Sequence, residues 1–222
     1  MGAFAPDEKE TVTREAARAL LHGPYAIVNE TSGARALVEA ALAAGFRIVQ
    51  YRAKEGIDRA RLRAFADLAH ASGALAIGND DWRAAREVGC DGVHLGPGDD
   101  GFEDPARVRA VWPEAIVGLS IGNPDEARAA DLGAVDYLGV GALFATASKA
   151  DAGAPIGLVG LRAVADATDL PICAIGGITA ERLAGVRASG AAMAATIAAI
   201  EKAADPAEAA RRFVAAWKSA AP

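Results

Sequence analysis

Eight short runs of β-type residues alternate with Ala-, Leu- and Arg-rich helical segments through almost the whole length of the 222-residue chain. Several of these runs are continuously apolar, which is typical of parallel strands that are covered on both faces. The candidate strands lie at 24–29, 46–51, 74–78, 92–95, 115–120, 136–140, 171–175 and 192–197. Eight βα units in a chain of this length predict the α/β class and a single (β/α)8 TIM barrel.

The same pattern sets the expected boundaries. Residues 23–222 are predicted to form the barrel, and residues 1–22 an extra N-terminal helical extension with a helix near 7–21. Asp104-Pro105, Asn123-Pro124 and Asp205-Pro206 each place a capping side chain before a proline, which predicts helix starts, and a closing helix follows near 206–219. A doubly wound open sheet is the alternative. It often carries a Gly-rich turn after the first strand, where this chain reads Asn29-Glu30-Thr31-Ser32.

Composition argues against several classes of protein. The net charge of −6 and the aromatic content of 5% disfavour a nucleic-acid-binding surface. Cys90 and Cys173 are too few for a disulfide framework and lack CxxC spacing, so we expect two buried thiols in a reducing cytoplasm. No run of about 18 apolar residues predicts a membrane span, and the acidic start does not resemble a signal peptide. We expect a cytoplasmic protein with small-molecule substrates, no nucleic-acid or membrane partner, and a homo-oligomer as an open option.

Polar side chains and glycines gather at the C-terminal ends of the predicted strands, the end at which (β/α)8 barrels hold their active sites. The set consists of Gln50, Arg52 and Lys54 after strand 2, Asn79 and Asp80 after strand 3, Asp99 after strand 4, Ser120 in strand 5, Thr146, Ser148 and Lys149 after strand 6, and Gly176-Gly177 after strand 7. The two aspartates have no nearby His or Cys, which suits Mg²⁺ held largely by water and phosphate oxygens. The cations suit phosphate, and the glycine pair lets backbone N–H groups approach a second phosphate. The pattern therefore predicts a site for two anionic groups, one of them on a metal ion.

Six short motifs in chain order resemble the thiamine phosphate synthase family over about residues 24–217. They are QYRAK from Gln50, ND from Asn79, HLGPGD from His94, GLS from Gly118, TASK from Thr146 and AIGGI from Ala174. The resemblance implies a transferase that joins 4-amino-5-hydroxymethyl-2-methylpyrimidine diphosphate to thiazole phosphate. Thiamine phosphate and pyrophosphate would be the products of a Mg²⁺-assisted dissociative displacement.

The resemblance also implies roles, residue by residue. Gln50 would contact the pyrimidine, and Asp80 and Asp99 would hold the Mg²⁺. The pyrophosphate would be held by Arg52, Lys54, Asn79, Ser120 and Lys149, of which Arg52, Lys54, Ser120 and Lys149 would be the catalytic groups. Thr146, Ser148 and Gly177 would contact the thiazole phosphate.

Four positions depart from the family pattern. Ser148 replaces the usual Thr, Pro97 a common Gln, Ala142 the usual Pro, and Ala198 the expected Ser at the end of strand 8. The changes at Ala142 and Ala198 motivate an alternative, a non-catalytic thiamine phosphate-binding barrel. A thiazole tautomerase-like enzyme is a second alternative, but its pattern has a His where this chain has Gly122.

The sequence also contains a hydrolase-like motif and one histidine in a predicted strand. Residues 118–122 match the G-x-S-x-G nucleophile elbow of serine hydrolases, but all three histidines precede Ser120, so the chain order does not fit a hydrolase. His94 itself, in the fourth strand, is interpreted as a packed structural histidine.

Overall fold

The computed structural model of the protein describes residues 13–53, 56–146 and 154–220. Eight parallel strands follow one another around a closed barrel, in which the first strand pairs with the last. They are β1 Gly23–Asn29, β2 Ile48–Arg52, β3 Leu75–Asn79, β4 Gly92–Leu95, β5 Ile116–Ile121, β6 Tyr137–Val140, β7 Ile172–Ala174 and β8 Met193–Thr196. The predicted (β/α)8 barrel is confirmed, each strand lies within two residues of its predicted bounds, and closure excludes the open sheet.

Helices connect the strands on the outside of the barrel. The α-helices in the described residues are α1 Arg14–Arg18, α2 Ala34–Ala44, α3 Arg59–Ala71, α4 Trp82–Val88, α5 Pro105–Val111, α6 Pro124–Ala129, α7 Gly157–Ala165, α8 Leu183–Ala188, α9 Ala198–Glu201 and α10 Pro206–Ser219. Asp104, Asn123 and Asp205 cap α5, α6 and α10 as predicted, because each side chain accepts a hydrogen bond from a backbone N–H of the first turn. None of the helices in these residues combines the length and the apolar character that crossing a bilayer requires.

The apolar core has two layers. One fills the barrel and includes Tyr25, Ile77 and Tyr137, and the other lies between the strands and the surrounding helices. Small residues bring the helices close to the strands: a Cβ added at Gly78 would lie 2.6 Å from the Cβ of Ala85 on α4. The low aromatic content therefore reflects tight packing by small and branched side chains.

Helix α1 lies at the N-terminal end of the barrel. Its Ala17, together with Leu21 just beyond it, is buried with the residues that fill the barrel. Helical structure begins at Arg14 and ends at Arg18, so the helix stops before the predicted end at residue 21, and residues 7–12 of the prediction lie outside the described residues.

A buried carboxylate anchors this end. Asp136, which is 0% exposed, lies just before β6. Its two oxygens accept hydrogen bonds from Arg14 and Arg18 of α1, from Arg109 of α5 and from the backbone N–H of Val117. One carboxylate therefore ties α1, α5 and β5 together at the end of the barrel opposite the strand C-termini.

Candidate functional site

A cavity of about 860 Å³ opens at the C-terminal ends of the strands. Residues from all eight strand ends line it, so barrel closure brings together side chains that are far apart in sequence. Of the residues singled out from the sequence, Gln50, Arg52, Asn79, Asp80, Asp99, Ser120, Thr146, Gly176 and Gly177 line this cavity. Lys54, Ser148 and Lys149 lie outside the described residues.

Buried polar side chains form one wall of the cavity. Gln50 and Asn79, which end β2 and β3, are 2% and 8% exposed. The Tyr25 hydroxyl donates to Gln50 Oε1 at 2.9 Å, and Gln50 Nε2 donates in turn to Asn79 Oδ1. Burial raises the pKa values of Tyr25 and Tyr137 well above their ordinary value, so both phenols keep their protons. The wall therefore presents neutral hydrogen-bonding groups.

The same chain of hydrogen bonds continues to Ser120. The hydroxyls of Tyr25 and Tyr137 are 3.1 Å apart, and Tyr137 lies 3.0 Å from His94 Nδ1. His94 Nε2 lies 3.0 Å from Ser120 Oγ. Six side chains on β1 to β6 thus form one network that links the wall to the predicted pyrophosphate ligands Asn79 and Ser120.

The network modifies the interpretation of His94. The imidazole stacks on Tyr137, as a packed histidine would, but it also lines the cavity and contacts Ser120. The order of His94 and Ser120 in the sequence did not predict the contact between them. The second ring nitrogen faces a tyrosine hydroxyl where a hydrolytic triad has a carboxylate, so the arrangement remains unlike a serine hydrolase.

Two carboxylates line the cavity from neighbouring strand ends. Asp80 follows β3 at φ 67°, a backbone conformation that aspartate tolerates better than most residues, and its N–H donates to the carbonyl of His94 at 3.0 Å. Asp99 is half-buried, and its Oδ2 accepts from the N–H of Gly96 at 2.6 Å. The next residue, Asp100, is held by Trp82 Nε1 and by Arg83 and Arg107, which fixes the loop that carries Asp99.

The donor set suits a hard divalent cation. No cluster of three or more His, Cys, Asp or Glu side chains placed to hold a metal occurs in the described residues. Two carboxylates beside a cavity fit Mg²⁺, which keeps several waters and takes further oxygens from phosphate. Asp80 and Asp99 are therefore compatible with the metal predicted from the sequence.

Arg52 is the described cation on this side of the cavity. Its Nη1 donates to Asn29 Oδ1 at 3.2 Å, and Asn29 Nδ2 donates to Glu201 at 2.9 Å. Within the described ranges Arg52 forms no ion pair with a carboxylate, so a neutral amide orients the guanidinium while its charge stays available to an anion.

The opposite side, from β6 to β8, is built from small residues. Gly176 and Gly177 have φ values of 99° and 63°, and a Cβ at Gly177 would lie 2.7 Å from the carbonyl oxygen of Ala145. Only glycine therefore fits both the backbone conformation and the space. Ala198 also lines this side, where its methyl group stands in place of the hydroxyl that the family pattern predicts.

Two cations on this side were missed from the sequence. Arg182, just before α8, and Lys202, just after α9, line the cavity. Both belong to helical segments, in which isolated basic residues usually mark a solvated face, so no local signal distinguished them.

Comparison with known proteins identifies the family. A family model described as thiamine monophosphate synthase matches residues 24–200. The chain belongs to this family. A thiamine-phosphate synthase from Moorella thermoacetica is 46% identical over 180 residues, covering 80% of this chain and 85% of the relative. One from Herpetosiphon aurantiacus is 43% identical over 206 residues, covering 87% and 96%.

A solved structure supports the same family assignment. A thiamine phosphate pyrophosphorylase from Pyrococcus furiosus matches with a TM-score of 0.81 at 28% identity, over 92% of this chain and 99% of that one. The resemblance noted in the sequence is confirmed, and the protein is an enzyme, a transferase of thiamine biosynthesis. These relatives favour the enzyme over the non-catalytic barrel.

Proposed function

We propose that the protein joins 4-amino-5-hydroxymethyl-2-methylpyrimidine diphosphate to thiazole phosphate, giving thiamine phosphate and pyrophosphate with the help of Mg²⁺. The observation that carries this proposal is that one cavity has two sides of different chemistry. Carboxylates, Arg52 and neutral donors lie at the ends of β2 to β5, and the glycine pair lies across the cavity after β7. Two phosphate-bearing substrates can therefore meet with their reacting carbon and nitrogen between these sides.

The chemistry is a displacement at the methylene carbon of the pyrimidine substrate. The C–O bond to pyrophosphate breaks with its electron pair on the leaving oxygen, and the lone pair of the thiazole nitrogen forms the new C–N bond. No proton is transferred, so the reaction needs neither a protein nucleophile nor a general base. This requirement agrees with a described site rich in neutral donors, in which Ser120 contacts His94 and His94 in turn contacts the Tyr137 hydroxyl.

Each side of the cavity has a separate role in this proposal. Gln50, oriented by Tyr25 and Asn79, would bind the polar edge of the pyrimidine. Arg52, Asn79 and Ser120 would hold the pyrophosphate with Lys54 and Lys149. Thr146, Ser148 and the backbone of Gly177 would bind the thiazole phosphate.

Asp80 and Asp99 would hold the metal. When bound, Mg²⁺ would neutralise negative charge on the departing pyrophosphate. Arg52 would add a bidentate contact to the same group, since its single described hydrogen bond leaves further N–H donors. Stabilising charge where it develops is what a dissociative displacement requires of its site.

A reducing, cytoplasmic setting is part of the proposal. It is supported by Cys90 and Cys173, which are both free and buried. The N-terminal residues 1–22 would act as a structural extension, with α1 held at the end of the barrel that faces away from the chemistry.

Incubation of the purified protein with both substrates, with and without Mg²⁺, tests the reaction directly. We expect thiamine phosphate only in the complete mixture. Binding of thiamine phosphate without its synthesis would instead support the non-catalytic barrel.

The metal assignment is tested with Asp80. Asp80→Asn is the matched variant, because asparagine tolerates the positive φ at this position whereas Asp80→Ala adds backbone strain. Both variants should lower turnover by roughly 100-fold or more, as expected when a charge-stabilising group is removed. Calorimetric binding of thiazole phosphate should change little, and equal losses of turnover and binding would refute the assignment.

A further inference from the structure

The cavity holds one positively charged group that the proposed roles do not use and that its surroundings hold in place. The Nη1 of Arg182 donates to the carbonyl oxygen of Gly177, and the guanidinium carbon lies 4.2 Å from the centre of the Phe144 ring. The N–H of Phe144 in turn donates to the carbonyl of Gly176 at 3.0 Å. Arg182, Phe144 and the glycine pair therefore form one unit at the rim of the cavity.

The charge of Arg182 is not taken up by a salt bridge among the described residues. The carboxylate next to it in sequence, Glu181, pairs with Arg212 at 3.0 Å. The side chain of Arg182 makes no ion pair within the described part of the chain, and its one hydrogen bond there goes to a neutral carbonyl. A guanidinium has five N–H donors in a planar fork, so most of them remain for an anion.

A second cation, Lys202, lies on the same side of the cavity as Arg182. Lys202 lines the cavity from the end of α9, one turn beyond Ala198, and its side chain forms no hydrogen bond or ion pair with another described residue. Ala198 itself offers no side-chain donor. The β7–β8 side therefore has two cations whose side chains form no ion pair with a described carboxylate, close to Ala198, whose side chain is only a methyl group.

We propose that Arg182 is a substrate-binding residue that recognises the phosphate of the thiazole substrate, with Lys202 as a second, weaker contributor. In this chain the pair supplies the binding that a hydroxyl at position 198 would otherwise give. The inference rests on the proposed function, because it assigns Arg182 to one of the two substrates of that reaction. It predicts that Arg182 distinguishes the phosphorylated thiazole from its alcohol.

Three variants test this role. Arg182→Gln removes the charge and keeps a side chain that can donate to Gly177, Arg182→Lys keeps the charge without the planar fork, and Arg211→Gln is the matched control. Arg211 is an exposed arginine on α10 paired with Glu208, away from the cavity. Unfolding curves recorded for all three separate a loss of binding from a loss of folding.

The main measurement is the steady-state KM for each substrate. For Arg182→Gln we expect the KM for thiazole phosphate to rise roughly 10- to 100-fold, as for loss of a charge-assisted hydrogen bond. The KM for the pyrimidine diphosphate and the activity with the thiazole alcohol should stay within about twofold. Arg182→Lys should recover part of the loss, and Arg211→Gln should behave as the parent protein does.

Two outcomes would overturn the inference while leaving the proposed function intact. One is an active parent protein in which Arg182→Gln leaves the KM for thiazole phosphate unchanged. The other is an equal loss of kcat/KM for the phosphorylated thiazole and its alcohol, which would mean that Arg182 only holds the glycine segment in place.

Failure of the proposed function would show itself differently, as a parent protein that forms no thiamine phosphate. Calorimetric binding of thiamine phosphate and of thiamine still tests Arg182 in that case. Arg182→Gln should weaken binding of the phosphorylated compound alone, and an equal effect on both compounds, or none, would overturn the inference.

Discussion

Removing the charge of Asp136 should cost the barrel more stability than any exposed ion pair. In Asp136→Asn one of the two carboxylate oxygens becomes an NH₂ group. Whichever way the amide turns, that group faces donors, because one oxygen accepts from Arg14 and Arg18 and the other from Arg109 and Val117. At least one guanidinium then lies against a donor instead of an acceptor.

The magnitude depends on which partners are shielded from water. The Arg109 side chain is 17% exposed, its Nη2 lies 2.7 Å from Asp136, and burial lowers the pKa of its guanidinium despite that carboxylate. Breaking a buried pair by changing one partner costs ~3–5 kcal/mol. Arg14 and Arg18 are 30% and 42% exposed, so screening leaves each of their contributions at about 0.5 kcal/mol. We expect a loss of about 4 kcal/mol, or roughly 10 °C in Tm for a domain of this size.

Urea unfolding followed by circular dichroism measures this loss. Asp166→Asn is the matched control, because Asp166, just after α7, pairs with Arg162 at 2.9 Å while both side chains are more than half exposed. It should cost less than about 1 kcal/mol. The kcat/KM of folded Asp136→Asn should equal that of the parent, since Asp136 lies at the far end of the barrel. A loss below about 1 kcal/mol for Asp136→Asn would show that desolvation of the charges already offsets their attraction.

Three other predictions concern the cavity and the thiols. Gly177→Ala places a Cβ 2.7 Å from the carbonyl oxygen of Ala145 at a φ of 63°, so thermal unfolding should show a loss of ~1–3 kcal/mol and the KM for thiazole phosphate should rise. Tyr137→Phe removes the hydroxyl between His94 and Tyr25, which should cost ~1–3 kcal/mol in urea unfolding and lower kcat/KM for the pyrimidine diphosphate. Burial raises the pKa of Cys90 from 9.0 to about 12 and that of Cys173 further, so neither thiol should react with Ellman's reagent at about pH 8 until the protein unfolds. Because the unfolded thiols ionise near 9.0 while the folded ones keep their protons, the urea midpoint should fall as the pH rises above about 9.

The strands and caps were predictable because each is encoded locally. Continuous apolar runs mark parallel strands buried on both faces, and a capping residue followed by proline marks a helix start whatever lies around it. The residues at the strand ends followed from the barrel itself, since closure places the eight C-terminal ends around one opening.

The residues that were missed depend on contacts between distant parts of the chain. Tyr25 and Tyr137 are 112 positions apart and meet only because both point into a closed barrel. Asp136 gathers partners from 19 to 122 positions away, and nothing near it in sequence distinguishes it from a surface acid. Arg182 lies in a helical segment among other charged residues, and only the fold shows that it faces the glycine pair.

The proposed function requires an acidic protein to bind two polyanions, and the way its arginines are held in different places is consistent with that requirement. Outside the cavity, carboxylates cancel the charge of arginines, as where Asp100 pairs with both Arg83 and Arg107. At the cavity, Arg52 is oriented by the amide oxygen of Asn29 and Arg182 by a backbone carbonyl. A neutral acceptor orients a guanidinium as a carboxylate does, but it leaves the positive charge available to a ligand. The net charge of −6 therefore describes the surface of the molecule, while the local field at the strand ends is set by which cations lack an acidic partner.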